Sequence, residues 1–412
     1  MKQAVPAPRN LVLLCDGTGN AVEGDLSNVL KLYRIASKDA EQRVFYDPGV
    51  GTIGTSADFG RLRQKARAIL GLATGAGLDD NVLEAYCFLC SAWLPGDRIF
   101  LFGFSRGAYT VRMLAGLVHM VGLLPPDQLN LAGHALRAYK RSAERDDLHI
   151  AWDFRRVVGS RLVTIHFMGL WDTVASMIVP RPDRFYIPSL RTLPYTRANP
   201  SVRALRHAIA IDERRRMFRL NSWKEPQPFN PDRFARAPRS MVQDIAQVRF
   251  AGVHADIGGG YPEKESGLAK FPLIWMTDEA VAHGLRIDAA MFNHLARGAP
   301  LPDGRHFYEA PQADADAHQS LRGAWHVLEW LPKRSRWQET RLGSFLGLYL
   351  PRGEHRKIMP SDAIHPSVRD RQRLRPDYAP PGLSPPQEPE AIAAPTAPVA
   401  VSTEGGQGGE RQ

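Results

Sequence analysis

The sequence predicts an α/β fold: a mostly parallel central sheet with helices on both faces, carrying insertions. Three observations predict it. The 412 residues are 44% hydrophobic, which supplies one large domain with a sizeable core. The apolar runs are short and near-continuous rather than alternating, as strands buried on both faces are. Helical patterns closed by tight turns stand between those runs, the sequence form of a parallel sheet with crossovers.

The first strand is Leu11 to Cys15, ending in the turn-rich Asp16-Gly17-Thr18-Gly19-Asn20. A second short strand lies at Val44 to Tyr46, before the glycine-rich loop Gly49 to Gly54. Helical patterns follow at Leu62 to Leu72 and at Asp80 to Leu94, the latter with Asp79 as N-cap and Pro95-Gly96 as its stop. Arg98 to Phe104 reads as a buried strand, and a helix is expected from Gly107 to Val121. A further helix is expected over Gln128 to Arg145, and a core strand over Arg161 to Leu170, ending at Trp171-Asp172-Thr173.

Residues 176–243 are rich in Pro, Arg and aromatics and read as a cap-like insertion with one helix at Val202 to Arg214. Gln247 to Val253 is again a strand, leading into His254-Ala255-Asp256-Ile257-Gly258-Gly259-Gly260-Tyr261, and a helix over Leu268 to His283 closes the core. Beyond Ile287 the periodic signals weaken. Residues 379–412 hold no aromatic residue and are dense in Pro, Ala and Gly, so they are expected to form a disordered tail. The expected organisation is an N-terminal extension over 1–9, one catalytic domain over 10–378, and that tail.

The 53 Lys and Arg against 43 Asp and Glu give a net charge of +10, which suits an anionic partner. No zinc-finger spacing and no aromatic-glycine RNA signature is present, so nucleic acid is set aside and an anionic membrane surface kept. Cys15, Cys87 and Cys90 are too few for a disulfide framework and fit a reducing compartment. Cys87 and Cys90 lie in an apolar helical pattern without a second pair, so they read as core thiols. The sequence shows no signal peptide or membrane span, so a soluble cytoplasmic chain is expected, with export only by a machine that needs no cleaved signal. No cofactor motif is found.

Gly103-Phe104-Ser105-Arg106-Gly107 matches Gly-x-Ser-x-Gly. Alone the pattern is weak, but here it follows a predicted strand directly and opens a predicted helix, as a nucleophile elbow must. A serine hydroxyl needs a base, and the base an orienting acid, in the chain order Ser, Asp or Glu, His. Asp172 stands at the end of a later strand. His254 comes straight off a still later one into a glycine run, whereas His207, His283 and His294 fall on predicted helices. The oxyanion donors are expected to be the backbone N–H of Arg106 and one from Gly17 or Thr18. A competing reading is a metal-dependent phosphatase or phosphodiesterase using Asp16, Asp172, His254 and Asp256. It leaves the elbow unexplained, and the Asp-Gly-Thr stretch, similar to that of haloacid-dehalogenase phosphatases, has Leu14 where their nucleophile stands. A third reading is a non-catalytic module that binds membrane or partner on the same fold.

Four segments in order carry a resemblance: Leu13 to Asn20, Gly103 to Ala108, Gly169 to Ser176 and Phe250 to Tyr261. Ile209 to Arg215 and Ile364 to Val368 add to it. Together they resemble an α/β-hydrolase family long filed as a domain of unknown function, which includes the phospholipase effectors of type VI secretion. The resemblance implies the triad Ser105, Asp172 and His254, lipid or phospholipid acyl esters as substrates, and a secretion-system partner. Two features lean the same way. Trp325, Leu328, Trp330 and Leu331 lie within Leu321 to Trp337 beside Lys333, Arg334 and Arg336, suiting either a membrane interface or a core-facing helix. Arg106 is placed to pair with a phosphate headgroup or to form a structural ion pair.

Overall fold

The computed structural model describes residues 8–17, 25–49, 77–145, 147, 149–174, 178–180, 188–190, 193–230, 241–302, 304, 306–334, 343 and 345–385. Its centre is a seven-stranded sheet of β1 (Asn10–Cys15), β2 (Gln42–Asp47), β3 (Arg98–Phe104), β4 (Ile165–Trp171), β5 (Val202–Ala210), β6 (Asp244–Phe250) and β7 (Ala363–Ile364). The spatial order is β7-β6-β5-β4-β3-β1-β2, and every pairing is parallel. The predicted α/β architecture is therefore the one formed.

Alternate side chains of one strand feed two cores. On β1, Leu11, Leu13 and Cys15 join one face, where α2 (Leu78–Ala92), α3 (Arg106–Val121) and α4 (Ala132–Arg145) pack. Val12 and Leu14 join the other, with Phe100, Phe102, Phe167 and Trp171. That face is covered by α1 (Asn28–Ile35), by α7 (Gly267–Ala282) and by α8 (Ala289–Arg297). Each fully buried Leu or Phe contributes about 1.5–3 kcal/mol, so both faces of every central strand favour the folded state. The remaining helices are α5 (His149–Val158), α6 (His254–Gly258), α9 (Ala324–Glu329) and α10 (Pro366–Leu374).

Several expectations are corrected. Val202 to Arg214 is not a helix: Val202–Ala210 is β5, between β4 and β6. Its Ala, Leu and Arg content favours a helix locally, but hydrogen bonding to strands on both sides and burial on both faces override that preference. Arg206 tolerates the burial because Asp244 (2.9 Å) and Glu279 (2.6 Å) take its guanidinium. His207 is accordingly on a strand. Residues 176–243 are thus not a single insertion, since their middle is a core strand.

The helix expected at Asp80 begins at Leu78 after Gly77, leaving Asp79 and Asp80 in the first turn, where the helix dipole favours them. The helix expected from Gln128 starts at Ala132, after a 3₁₀ segment over Pro126–Leu131. Leu321 to Trp337 forms only the short α9, and then a strand at Lys333–Arg334 paired with Leu348–Tyr349. Helices α1, α5, α6 and α10 were not anticipated, and the helix expected around His294 is α8. Two have clear start signals: Ser27 caps Leu30 N–H, and Asp288 caps Met291 N–H. The loop after Gly49, the helical pattern at Leu62 to Leu72 and residues 386–412 lie outside the described residues.

Helix α3 meets β1 at Gly107. A Cβ there would lie 2.0 Å from the Cys15 carbonyl oxygen and 2.5 Å from that of Asp16. Both neighbours are backbone in the sheet and its first turn, so neither can yield cheaply. Gly107→Ala should destabilise the fold by about 1–3 kcal/mol or more, read as a lower denaturation midpoint with an unchanged m-value.

Candidate active site

In a parallel sheet all carboxyl ends share one edge, and ligands bind where strand order reverses. Here β1 lies between β2 and β3, so the reversal falls between β1 and β3. Asp16 and Gly17 follow β1, Ser105 follows β3, Asp172 follows β4, and His254 stands four residues beyond β6. Phe104 and Trp171 are register partners, so Ser105 and Asp172 leave the sheet side by side. The Ser105 N–H donates to the Trp171 carbonyl at 3.1 Å.

Ser105 has φ 56° and ψ −117°, a backbone state that side-chain-bearing residues seldom adopt. The strain is held by the packing around it. A Cβ on Gly103 would lie 2.5 Å from the Gly107 carbonyl oxygen, so glycine lets α3 fold straight back over β3. Ser105 stands at the N-cap of α3, yet its side chain makes no capping bond. Ser105 as a whole is 7% exposed, at the start of the helix.

Asp172 is also left-handed, with φ 37°. Its carboxylate is fully buried and has four contacts. Oδ2 meets His254 Nδ1 at 2.6 Å and Arg356 Nη2 at 3.1 Å; Oδ1 meets Arg356 Nη1 at 2.5 Å and the Ala210 N–H at 3.0 Å. Burial alone disfavours the charge, but the Arg356 guanidinium and then His254 overcome it, holding the carboxyl well below the usual range. An ionised Asp172 only accepts, so Nδ1 of His254 donates this bond and leaves Nε2 as the ring's second nitrogen. That Nε2 is buried and has no hydrogen-bond partner; it does not bond Ser105 Oγ here. Such bonds often close only around substrate.

The imidazole sits between two aromatic rings, Phe104 at 4.7 Å and Phe218 at 4.8 Å between centroids. Phe104 immediately precedes Ser105, so this contact sets His254 beside the turn that carries Ser105. Gly258 at the end of α6 presses on the same ring: a Cβ there would lie 2.0 Å from Phe104 Cε2. The His254 N–H donates to Glu213 Oε2 at 3.2 Å. Burial opposes the Glu213 charge, but Arg215 keeps its pKa low.

The structure thus joins Asp172 to His254 and brings His254 beside the elbow, while the proposed oxyanion donors fare unevenly. Arg106 opens α3, with its side chain buried and its pKa lowered by that burial to about 10. The Gly17 N–H donates to Asp16 Oδ1 at 2.6 Å, and Thr18 lies outside the described residues. The alternative metal set does not converge. Asp16 takes Ser27 and the Tyr46 hydroxyl (3.0 Å), Asp256 takes the Val253 N–H and His318 (2.7 Å), and the Asp172 oxygens are occupied as above. Among the described residues, no cluster of three or more His, Cys, Asp or Glu suits a metal.

Sequence reasoning missed Arg356, Glu213 and Phe218, which meet Asp172 and His254 only through the fold. It also could not place His207. That side chain is buried behind Asp172, where Nε2 accepts the Thr173 N–H at 3.2 Å; burial lowers its pKa to about 3.

Residues 9–279 match the family described as "T6SS, Phospholipase effector Tle1-like, catalytic domain". The chain belongs to this family. The match holds Ser105, Asp172 and His254 and stops before Arg356. An uncharacterized Saccharomyces cerevisiae protein, YEL023C, is 32% identical over 251 residues, covering 57% of this chain and 36% of that protein. An uncharacterized Pseudomonas aeruginosa protein of known structure is 18% identical, with 72% of this chain and 48% of that one aligned at a TM-score of 0.37. A Tle1 effector solved bound to the VgrG spike of the type VI secretion system is also 18% identical, with 64% and 53% aligned at a TM-score of 0.33. The chain therefore spans about half or less of the length of each relative.

Arg356→Gln should cost about 3–5 kcal/mol at neutral pH, because it strips one partner from a buried ion pair. The sign follows from the depressed pKa of Asp172. Its stabilisation is present above the ordinary carboxylate range and is lost only as pH falls through the depressed value. Chemical denaturation of the variant should therefore show the deficit throughout pH 5–8.

Proposed function

We propose that this chain is a serine hydrolase that cleaves carboxylic esters of lipids through Ser105, His254 and Asp172. The observation that carries the proposal is the pairing of His254 Nδ1 with a fully buried, ionised Asp172 at 2.6 Å, packed on the residue that precedes a strained Ser105. Family membership supports the lipid: the family is described by its phospholipase effectors.

In this reading Ser105 Oγ attacks the ester carbonyl while its proton passes to His254 Nε2. Asp172 holds the Nδ1–H tautomer and stabilises the imidazolium that forms. The carbonyl oxygen gains the charge at the N-terminus of α3, where the Arg106 N–H is the first donor. A second donor from Gly17 requires its N–H to leave Asp16, and Thr18 is the other candidate. The intermediate collapses by breaking the acyl C–O bond, and Nε2 returns its proton to the departing alcohol. Water, deprotonated by the same nitrogen, then releases the acid and restores Ser105.

Arg356 is a positioning residue here. It fixes Asp172 and offsets part of its charge, so the site stabilises the imidazolium less than an unshielded carboxylate would. The family description further supports a secretion-system partner and a route that needs no cleaved signal. Among the described residues no helix is long and apolar enough to cross a membrane. Contact with a bilayer would be peripheral, through basic and apolar side chains such as Trp330, Leu331 and Lys333.

A fluorophosphonate should label wild-type protein and leave Ser105→Ala unlabelled; an unlabelled, folded wild type would overturn the proposal. Asp172→Asn should lower kcat by roughly 10⁴-fold, as loss of the correct tautomer does in such triads, read on p-nitrophenyl esters. In Arg356→Gln the acid limb of the kcat/KM profile should move to higher pH, because an unshielded Asp172 favours the imidazolium. An equal loss at every pH would assign Arg356 to folding alone.

A further inference from the structure

Beside His254 lies a cleft of about 390 Å³ that the Ser105, His254 and Asp172 constellation does not use. Val253, the residue before the base, lines it, and so does Ser320. The Ser320 hydroxyl donates to Glu213 at 2.9 Å, and Glu213 accepts the His254 N–H. The cleft therefore shares a wall with the loop that carries the base.

Its polar lining is unevenly matched. Arg214 uses only Nε, on the Gly353 carbonyl at 2.8 Å, and Arg352 lies over the Trp330 ring at 5.1 Å. Among the described residues neither guanidinium pairs with a carboxylate, although both line the same space. The two acids of the lining are engaged elsewhere. Asp212 accepts the Gly252 N–H (2.7 Å) and the Tyr378 hydroxyl (2.8 Å), and Glu329 accepts the Arg216 N–H (2.7 Å). Burial raises the pKa of both, to about 6 for Asp212. His326 adds an imidazole from α9 and His355 one from the segment that carries Arg352, while His318, also in the lining, is bonded to Asp256 and Glu265.

Two forked cations and the imidazoles of His326 and His355 around one opening supply more donors than the protein's own acceptors use. A guanidinium fork matches the paired oxygens of a phosphate or carboxylate. A phosphate has more acceptor oxygens than a carboxylate, and their tetrahedral spread lets them meet donors from several sides at once. The volume also exceeds that of a bare ion and suits a phosphate ester.

We propose that this cleft binds a phosphate group, carried on the lipid substrate or free in solution. The lipid-borne case rests on the serine hydrolase reading; phosphate binding itself does not. The lipid-borne case also makes the cleft a determinant of specificity, holding the headgroup while the ester reaches Ser105. Exposed Trp330 at the rim, 57% accessible, would then lie against the headgroup layer.

The test uses the full chain. Inorganic phosphate and glycerophosphocholine are titrated calorimetrically into wild type, Arg214→Gln, Arg352→Gln and Arg352→Lys. Wild type should bind at least one of the two, and each Gln variant should weaken that affinity about tenfold, the worth of one charge-assisted hydrogen bond. Arg352→Lys, which keeps the charge, should lose less than Arg352→Gln; melting curves identify any variant that has not folded. The ratio of kcat/KM for a short-chain phosphatidylcholine to that for a neutral p-nitrophenyl ester separates the two sources. A ratio about tenfold lower in the Gln variants assigns the site to the lipid. An unmoved ratio, with inorganic phosphate binding lost, assigns it to free phosphate. Absence of binding by wild type to either ligand, or unchanged affinity in both Gln variants, overturns the proposal. Ester turnover that survives Ser105→Ala would sink the serine hydrolase reading and leave the titrations to decide the cleft.

Discussion

A fully buried, ionised carboxylate is costly unless every lone pair is met, and the candidate site is arranged around meeting those of Asp172. The Ala210 N–H comes from the end of β5, His254 from beyond β6, and Arg356 from a segment far downstream. Removing Arg356 leaves the charge uncompensated, and removing either of the others leaves a buried lone pair unmet. The same bonds that make the carboxylate tolerable also orient His254, so stability and chemistry draw on one set of contacts. That is why the acid stands at a strand end, where neighbouring strands supply backbone donors at fixed register.

The second constraint is steric. Gly103, Gly107 and Gly258 each sit where a methyl group would collide with backbone or with the Phe104 ring. Those approaches bring three elements onto one residue: β3 ends at Phe104, α3 folds back over it, and α6 rests against it. A strained Ser105 is the outcome of that crowding, and the strain persists because the surrounding packing over-determines it.

The residues that support the site extend beyond the region matching the family, which ends at 279. Ser320 holds Glu213, His318 holds Asp256 on α6, Trp325 packs edge-on against Phe218, and Arg356 clamps Asp172. The later segment thus supplies contacts to Asp172 and to the neighbours of His254. It also forms most of the cleft that carries Arg352, His326 and His355, so any substrate selectivity of that cleft would belong to this part of the chain.

The placement of Ser105 after β3, Asp172 after β4 and His254 after β6 was legible because each is written locally: glycines at a strand-to-helix turn, or a polar residue directly after an apolar run. β5 was misread for the complementary reason. Residues 202–210 have helix-favouring composition, and only their neighbours on both sides make them a strand. By itself, then, the sequence determined the α/β class, the ends of β1 and β3, and the identity of Ser105, Asp172 and His254 as candidates. The tertiary structure alone decided that Asp172 meets His254 and Arg356, that Gly17 is already bonded to Asp16, and that Asp16 and Asp256 stand apart from the pair. Local patterns record how each segment buries its own faces. They carry no record of which side chains, more than a hundred residues apart, will share one buried charge.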